Sequence, residues 1–367
     1  MKPGRLFSIL ILATILFSEC VDRIEFDTRP AVLPVALDGF ITDQPGPYEV
    51  RVNRAFDIES RNTPKIPVSV RRLEIFDNVG NQERLQEVEP GVYRTDPARM
   101  RGVVGRSYRV VVELLDGRIY ESVPDTLLPS GQVEAVKYTF VSGNSASNPP
   151  GFDVTFDALG SELNRNYYLW RFIGTYQVDT NPEQADVACG ESRCPRPRPC
   201  SGYVIDQGLL LQVSPCSCCT CWVDFYNNVP ILSDNRFITN SRFQDIQAAF
   251  VPLDQWIFLY RVYVRIEQRS LSRRAFLFWK AIQDQKEAAN SLFQPISGRL
   301  PRNFIQRAGT GGGLEGIFYA TSISTKGVFI SRNDVPNQSL IPLVVVPFRE
   351  SCLELPNSTN VKPAFWN

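Results

Sequence analysis

The chain of 367 residues contains no histidine. This absence excludes Ser-His-Asp and Cys-His catalysis, histidine-ligated zinc and histidine-based pH switches. Neither sign of charge is in excess, because 39 Lys and Arg residues balance 39 Asp and Glu residues. A chain of zero formal charge has no long-range field that recruits nucleic acid, so we expect no such partner. We identify no catalytic residue, no metal-ligand set and no cofactor motif among the residues that are present.

Lysine is scarce, with seven residues against 32 arginines. Arginine suits the bidentate binding of anions, so the excess raises the question of an anion site. The arginines are spread along the sequence, however, whereas phosphate sites need clustered positive charge. We therefore interpret the excess as codon usage rather than as a binding site.

Long hydrophobic runs are also missing, and the apolar run near the N-terminus covers only residues 6–17. It follows positively charged residues and is too short for a transmembrane helix, which is typical of a secretory signal. Cys20 comes shortly after it and resembles the lipidation cysteine of a bacterial lipoprotein, although Phe17 and Glu19 depart from the usual pattern. We predict a signal peptide over 1–20 with Cys20 as the lipidation site. A plain secretory signal that leaves a free thiol is the alternative.

Cysteine usage agrees with export from the cytoplasm. An even number of cysteines in an exported protein predicts a disulfide framework, although the sequence alone does not give the connectivity. The eight candidates that follow Cys20 are Cys189, Cys194, Cys200, Cys216, Cys218, Cys219, Cys221 and Cys352.

Four of these cysteines fall within the six residues 216–221. A soft metal site and a redox pair made by Cys218 and Cys221 are the alternatives to disulfides there. An oxidising compartment favours disulfides, and we expect the neighbours Cys218 and Cys219 to bond to different partners because a directly bonded pair is strained.

Short strands dominate the first third of the chain. Residues 21–31 are polar and predict a tether, and period-two alternation then begins, for example at 48–52. Clusters of Gly, Pro, Asp and Asn separate the alternating segments, as in a chain of β-turns. We predict an immunoglobulin-like or prealbumin-like β-sandwich over 32–127.

Residues 132–367 are predicted to form a larger β-rich domain with one or two helices. The Pro-, Cys- and Arg-rich segment 181–221 interrupts its strands and predicts a long stapled loop without regular structure. An amphipathic pattern over 272–293, with Ser272 as N-cap, predicts the main helix, and 240–250 is a second, shorter candidate. The fold class is therefore mainly β.

Aromatic residues cluster on both sides of the stapled loop. If exposed, they would form a sugar-binding or peptide-binding surface, or a protein interface. We favour the alternative that they form the core of the second domain. The cluster consists of Tyr167, Tyr168, Trp170, Trp222, Phe225 and Tyr226.

Several segments together resemble one protein family. Besides the Cys20 start, they are DGFITDQPGPYEV at 38–50, FWKAIQDQ at 278–285, SLFQP at 291–295, GIFYA at 316–320, and Cys352 followed by KPAFW at 362–366. They resemble domain-of-unknown-function family 4249, which comprises lipoproteins of the Bacteroidota outer envelope. The resemblance implies a lipoprotein of the outer membrane, often encoded beside TonB-dependent transporters, without established catalytic residues.

The expected function is that of a non-enzymatic lipoprotein of the cell envelope. We expect lipid anchoring to the outer membrane, on its periplasmic or its cell-surface face, and an accessory role to a TonB-dependent transporter. The first alternative is a surface protein that captures a peptide or a glycan. A redox or metal protein based on cysteine is a weaker third hypothesis.

Overall fold

The computed structural model describes residues 34–54, 66–143, 145, 148–163, 167–190, 192–227, 229–233, 241–289, 300–337, 340–342 and 348–366. The predicted signal peptide, the lipidation site Cys20 and the tether at 21–31 lie outside the described residues. The chain is mainly β, as predicted.

The strands follow one another through almost the whole described chain. They are β1 (Val35–Thr42), β2 (Glu49–Arg54), β3 (Val70–Asp77), β4 (Gln82–Arg84), β5 (Gln86–Glu89), β6 (Val92–Arg94), β7 (Ser107–Leu114), β8 (Ile119–Ser122), β9 (Asp125–Thr126), β10 (Gln132–Val141), β11 (Gly151–Leu159), β12 (Tyr168–Asp179), β13 (Asp186–Cys189), β14 (Ser192–Pro195), β15 (Tyr203–Asp206), β16 (Leu209–Gln212), β17 (Thr220–Tyr226), β18 (Ile231–Leu232), β19 (Arg242–Pro252), β20 (Arg261–Ser270), β21 (Phe304–Ala308), β22 (Leu314–Thr321), β23 (Ile323–Ser331) and β24 (Ser358–Thr359). One α-helix, α1 (Arg273–Ala289), is present among the described residues.

Two sheets enclose the first core. One has the strand order β22-β1-β2-β6-β5, and the other has the order β21-β8-β7-β3-β4 with β9 beside β7. Strict alternation along β7 directs every second side chain inward, and Val110 and Val112 are fully buried there. Leu37 and Val50 come from the facing sheet and Ile75 from β3 beside β7, so this core is mainly aliphatic.

Two strands of the first sandwich come from far along the chain. β21 pairs antiparallel with β8, and β22 pairs parallel with β1 from Val35↔Leu314 to Thr42↔Thr321. The predicted division of the chain into domains 32–127 and 132–367 does not include the return of β21 and β22 to the first sandwich. Because these strands complete the first sandwich, Pro34–Asn367 forms one compact unit.

Glycine permits the close approach of β22 to β1. Gly316 has φ +96°, and a Cβ there would collide with the carbonyl oxygen of Leu37. Side chains of β22 then alternate between two cores: Phe318 enters the first sandwich, whereas Ile317 and Tyr319 pack towards α1. One strand therefore belongs to both cores.

The second sandwich combines the sheet β10-β11-β19 with the sheet β23-β20-β12-β17-β24, in which β18 also pairs with β12. Its core is aromatic: Phe156 lies 5.3 Å from Trp170, which lies 4.9 Å from Phe243 (ring centroids). Trp170 donates a hydrogen bond from Nε1 to Gln268, 2.8 Å away, so its polar atom is satisfied inside the core.

Helix α1 lies where the two sandwiches meet. The hydroxyl of Ser272 accepts a hydrogen bond from the N–H of Ala275 at 3.2 Å, which is the N-cap expected from the sequence. The apolar face of α1 buries Ala275 and Phe278 against Leu169 and Ile317. The predicted end at residue 293 lies outside the described residues. None of the described helices has the length and apolar character needed to cross a membrane.

The helix predicted over 240–250 is wrong, because its described part belongs to strand β19. Phe156 pairs with Ile246, whereas Ala158 pairs with Phe243, so β19 holds one extra residue at this point. This β-bulge, with Asp245 at φ +51°, brings Phe243 and Ile246, three residues apart, to the core side of the strand and imitates a helical period.

The absence of regular structure predicted for 181–221 is also wrong. The segment contains two hairpins, β13–β14 and β15–β16, and 3₁₀ turns at Pro182–Gln184 and Pro199–Ser201. Disulfides hold these short hairpins in place, whereas a longer strand would be held by pairing with neighbouring strands.

Candidate functional sites: a stapled hairpin and an arginine pocket

Four disulfides join the eight cysteines of the described chain. They are Cys189–Cys194, Cys200–Cys218, Cys216–Cys219 and Cys221–Cys352. The neighbours Cys218 and Cys219 have different partners, and none of these cysteines remains as a thiolate for a metal. Among the described residues, no group of three or more His, Cys, Asp or Glu side chains is arranged for metal binding.

The disulfides fix the segment around β15 and β16 to the second sandwich. Cys221 lies on β17, is fully buried, and bonds to Cys352 across 131 residues of sequence. Cys218 is also fully buried and bonds to Cys200, close to the start of β15. The carbonyl of Gly202 accepts the N–H groups of Val213 and Ser214 at 2.8 and 3.1 Å, which closes the base of the hairpin.

The stapled hairpin, residues 203–213, exposes apolar side chains on both of its faces. Val204 pairs with Leu211 and Ile205 pairs with Leu210, so the two pairs project to opposite sides. All four are between 43% and 44% exposed, and Leu209 and Val213 reach 66%. Contiguous exposed apolar side chains of this kind mark interaction sites in soluble domains.

The tip of the stapled hairpin is polar. Gln207 and Gly208 have φ +46° and +81°, the left-handed pair that a two-residue hairpin turn requires. Asp206 precedes them and is exposed. The hairpin therefore carries apolar flanks behind a polar tip.

The arginine pocket is a cavity of about 540 Å³ bounded by β1, β2, β12, β20, β22 and α1. Its wall includes Phe40, Arg51, Arg171, Arg269, Trp279 and Lys286. Alternation explains the placement: Trp170 and Gln268 point into the second core, so Arg171 and Arg269, one residue further on, point out of it.

Arg269 is satisfied by the protein itself. Its Nε and Nη2 donate to Oε1 of Glu267 at 2.9 and 2.7 Å, and its Nη1 donates to the hydroxyl of Tyr319 at 3.3 Å. The guanidinium also lies 4.4 Å from the ring centre of Phe40. Burial lowers the pKa of Arg269, but Tyr319 and Glu267 outweigh that effect and raise it.

Arg171 differs in having no carboxylate partner in the described part of the chain. It makes no hydrogen bond or ion pair with the residues that the structure describes, and its aromatic contact is Tyr226, 5.5 Å from the guanidinium carbon. Burial, followed by the positive charge of Arg269, lowers the pKa of Arg171 below its usual value. Glu267 lies opposite Arg171 in the sheet but is bonded to Arg269.

The outer rim of the arginine pocket is an exposed ion-pair network. Arg51 donates to Glu49 at 2.6 Å, and Arg94 pairs with the same carboxylate at 2.9 Å. Burial raises the pKa of Glu49, but the hydrogen bonds from Arg94 and Arg51 lower it below its usual value. The charge of Arg51 is therefore compensated at the rim.

The sequence interpretation of the arginines as scattered misses this pocket. Arg51, Arg171 and Arg269 are separated by about one hundred residues or more each, so only the pairing of distant strands brings them together. The positions of the aromatic residues are closer to the favoured alternative, in which they form the core of the second domain. Tyr168 and Trp170 are buried in the core, whereas Tyr226 is 40% exposed.

Comparison with known proteins gives a family but no activity. None of the curated proteins matches the sequence. Residues 22–327 match the family described as a domain of unknown function, DUF4249. This match covers most of the chain, including the first sandwich, most of the second sandwich, the stapled hairpin and the wall of the arginine pocket. The chain therefore belongs to the DUF4249 family.

Proposed function

We propose that the chain is a non-enzymatic lipoprotein of the cell envelope that serves as an accessory subunit of an outer-membrane TonB-dependent transporter. The observation that carries this proposal is the stapled hairpin, whose apolar side chains are exposed on both faces while two disulfides fix its base. Fixing an exposed apolar element before binding reduces the entropy lost in the complex.

The chemistry of the hairpin favours a protein partner over a lipid surface. A hairpin that inserts into a bilayer needs an apolar tip, because an unpaired charge is costly there. Here the tip carries Asp206 and Gln207, and the apolar side chains lie behind it on the flanks. Within the described residues β15 and β16 pair only with each other, so each has an outer edge that can pair with a strand of the partner.

Membrane location is proposed on the Cys20 pattern and on the resemblance to envelope lipoproteins. Fractionation of the full chain tests it: wild type should sediment with outer membranes and carry the mass of a lipid, and Cys20→Ala should be soluble. Soluble, unmodified wild type would contradict the anchor.

Docking is tested by purifying the full chain from membranes and identifying stoichiometric partners by mass spectrometry. We expect a barrel protein of the outer membrane with wild type. The variant Val204→Ser, Ile205→Ser, Leu210→Ser, Leu211→Ser should lose it, and Leu115→Ser, an exposed leucine of the first sandwich, should retain it. If the barrel copurifies equally with both variants, the hairpin is not part of the interface.

The arginine pocket favours a second candidate function, the capture of a ligand at the cell surface. A cavity of about 540 Å³ lies within the size range of small-molecule sites. The two functions are separable, because the pocket shares no lining residue with the stapled hairpin.

A further inference from the structure

We propose that the arginine pocket binds a small organic carboxylate that contains a ring, with Arg171 binding the carboxylate and Phe40 and Trp279 contacting the ring. This site goes beyond the proposed transporter role and does not depend on it.

The charges of the pocket leave Arg171 as the uncompensated cation. Arg269 is bonded to Glu267, whose side chain is 12% exposed, and Arg51 is bonded to Glu49 at the rim. Arg171 lies beside these pairs, is partly buried, and has no hydrogen-bond acceptor among the residues that the structure describes. A guanidinium that is partly removed from water and lacks a protein acceptor gains from a ligand that supplies one.

A single carboxylate matches this unsatisfied charge. Its two oxygens accept the parallel N–H groups of a guanidinium, and its one negative charge equals the charge left uncompensated. A doubly charged phosphate would bring an excess of negative charge close to the carboxylates of Glu49 and Asp38, which also line the pocket. The balance therefore favours a carboxylate over a phosphate.

The remaining wall suits a flat or ring-shaped body. Phe40 and Trp279 are both partly buried at the pocket, and Tyr319 connects them, with ring centroids 5.6 Å and 6.3 Å away. The buried indole N–H of Trp279 has no acceptor among the described residues, so the wall also has an unused donor. Aromatic and sugar acids share this combination of a ring and one carboxylate.

Calorimetry on the full chain with two matched pairs of probes tests the proposal. The pairs are benzoate with benzamide, and D-glucuronate with D-glucose, which distinguish an aromatic acid from a sugar acid. We expect at least one acid to bind about tenfold or more tightly than its neutral counterpart, since a charged hydrogen bond is lost in the neutral form. Inorganic phosphate should bind more weakly than that acid.

Variants of two arginines separate binding from folding. Arg171→Gln should weaken binding of the acid about tenfold or more while the melting temperature stays at or above that of wild type. Arg109→Gln is the control, because Arg109 lies 4.5 Å from the ring of Phe76 and pairs with Glu121 at 3.3 Å, outside the pocket. It should keep wild-type affinity.

Three results of the binding measurements would overturn the proposal. They are no saturable binding of either acid, equal binding of acids and neutral counterparts, and tighter binding of phosphate than of both acids. A large fall in the melting temperature of Arg171→Gln would also contradict it, because that would show a charge already satisfied within the protein. Arg171→Lys, which keeps the charge but loses the bidentate geometry, should give intermediate affinity.

Discussion

The stapled hairpin and the arginine pocket depart from the ordinary distribution of side chains in opposite directions. The hairpin exposes apolar side chains that a core would bury, and the pocket partly buries a guanidinium that water would solvate. Elsewhere the same chain satisfies both kinds of group: Ile75 and Val110 are paired and buried, and Arg269 is bonded to Glu267. Under the two proposals made above, both surfaces serve binding rather than folding.

The first prediction removes the scaffold of the hairpin and leaves the pocket intact. Cys221→Ser with Cys352→Ser opens a loop of 131 residues, so the free energy of unfolding should fall by about 5 kcal/mol on the chain-entropy account. Urea denaturation measures it. The matched variant Cys189→Ser with Cys194→Ser opens a five-residue separation and should lose about 2 kcal/mol. Equal losses would contradict this ordering.

The second prediction compares the stability of variants at Arg269 and Arg171, two arginines of the pocket wall. Arg269→Gln leaves Glu267 buried without its partner and should lower the free energy of unfolding by about 3 kcal/mol. Arg171→Gln removes a charge that has no partner in the described chain, so its change should stay within about 0.5 kcal/mol. Urea titrations of both variants beside wild type measure the difference. A larger loss in Arg171→Gln would reverse the assignment of roles.

The third prediction concerns the compensated rim of the pocket. Since the pKa of Glu49 is lowered in the folded state, its contribution to stability is present above the usual carboxylate pKa and is lost as the pH falls through the folded-state value. Glu49→Gln should therefore lose up to about 1 kcal/mol at neutral pH and approach wild type in acid. Denaturation at several pH values tests it, with Glu89→Gln, an exposed glutamate on β5, as control. A gap between Glu49→Gln and wild type that widens in acid would contradict the sign.

The fourth prediction has the smallest effect on folding. Ile205→Ser with Leu210→Ser changes an exposed pair, so the free energy of unfolding should change by less than about 0.5 kcal/mol. The matched substitution Ile75→Ser with Val110→Ser alters an equivalent cross-strand pair inside the first core and should lose about 5 kcal/mol or more. A substantial loss of unfolding free energy in the hairpin variant would show that those side chains contribute to folding.

Local patterns in the sequence predict much of the fold. The alternation in β7 and the apolar face of α1 are visible without a structure, because each depends only on neighbouring residues. The bulge at Asp245 shows where this fails, since one inserted residue converts a strand period into a helical one. Pairings over hundreds of residues, such as β1 with β22, are not encoded locally at all.

The same distinction holds for the candidate sites. The cysteine count and the predicted export together predict disulfides, but the partner of Cys221 is 131 residues away and is fixed only by the fold. The apolar run at Leu209–Leu211 resembles any buried strand, and its exposure arises because no described element covers the two-stranded hairpin. The arginine pocket is invisible in the sequence because each wall comes from a different strand or helix.

The sharing of β22 between two cores has a consequence for synthesis of the chain. Asp43 and Ser322 hydrogen-bond across 279 residues of sequence, and β1 receives its parallel neighbour only when that distant segment emerges. Until then, one edge of β1 has unsatisfied backbone groups and is open to pairing with other chains. A nascent chain therefore exposes this edge of Val35–Thr42 until β22 has been synthesised, and C-terminal truncation before residue 314 should yield aggregates rather than a folded first sandwich.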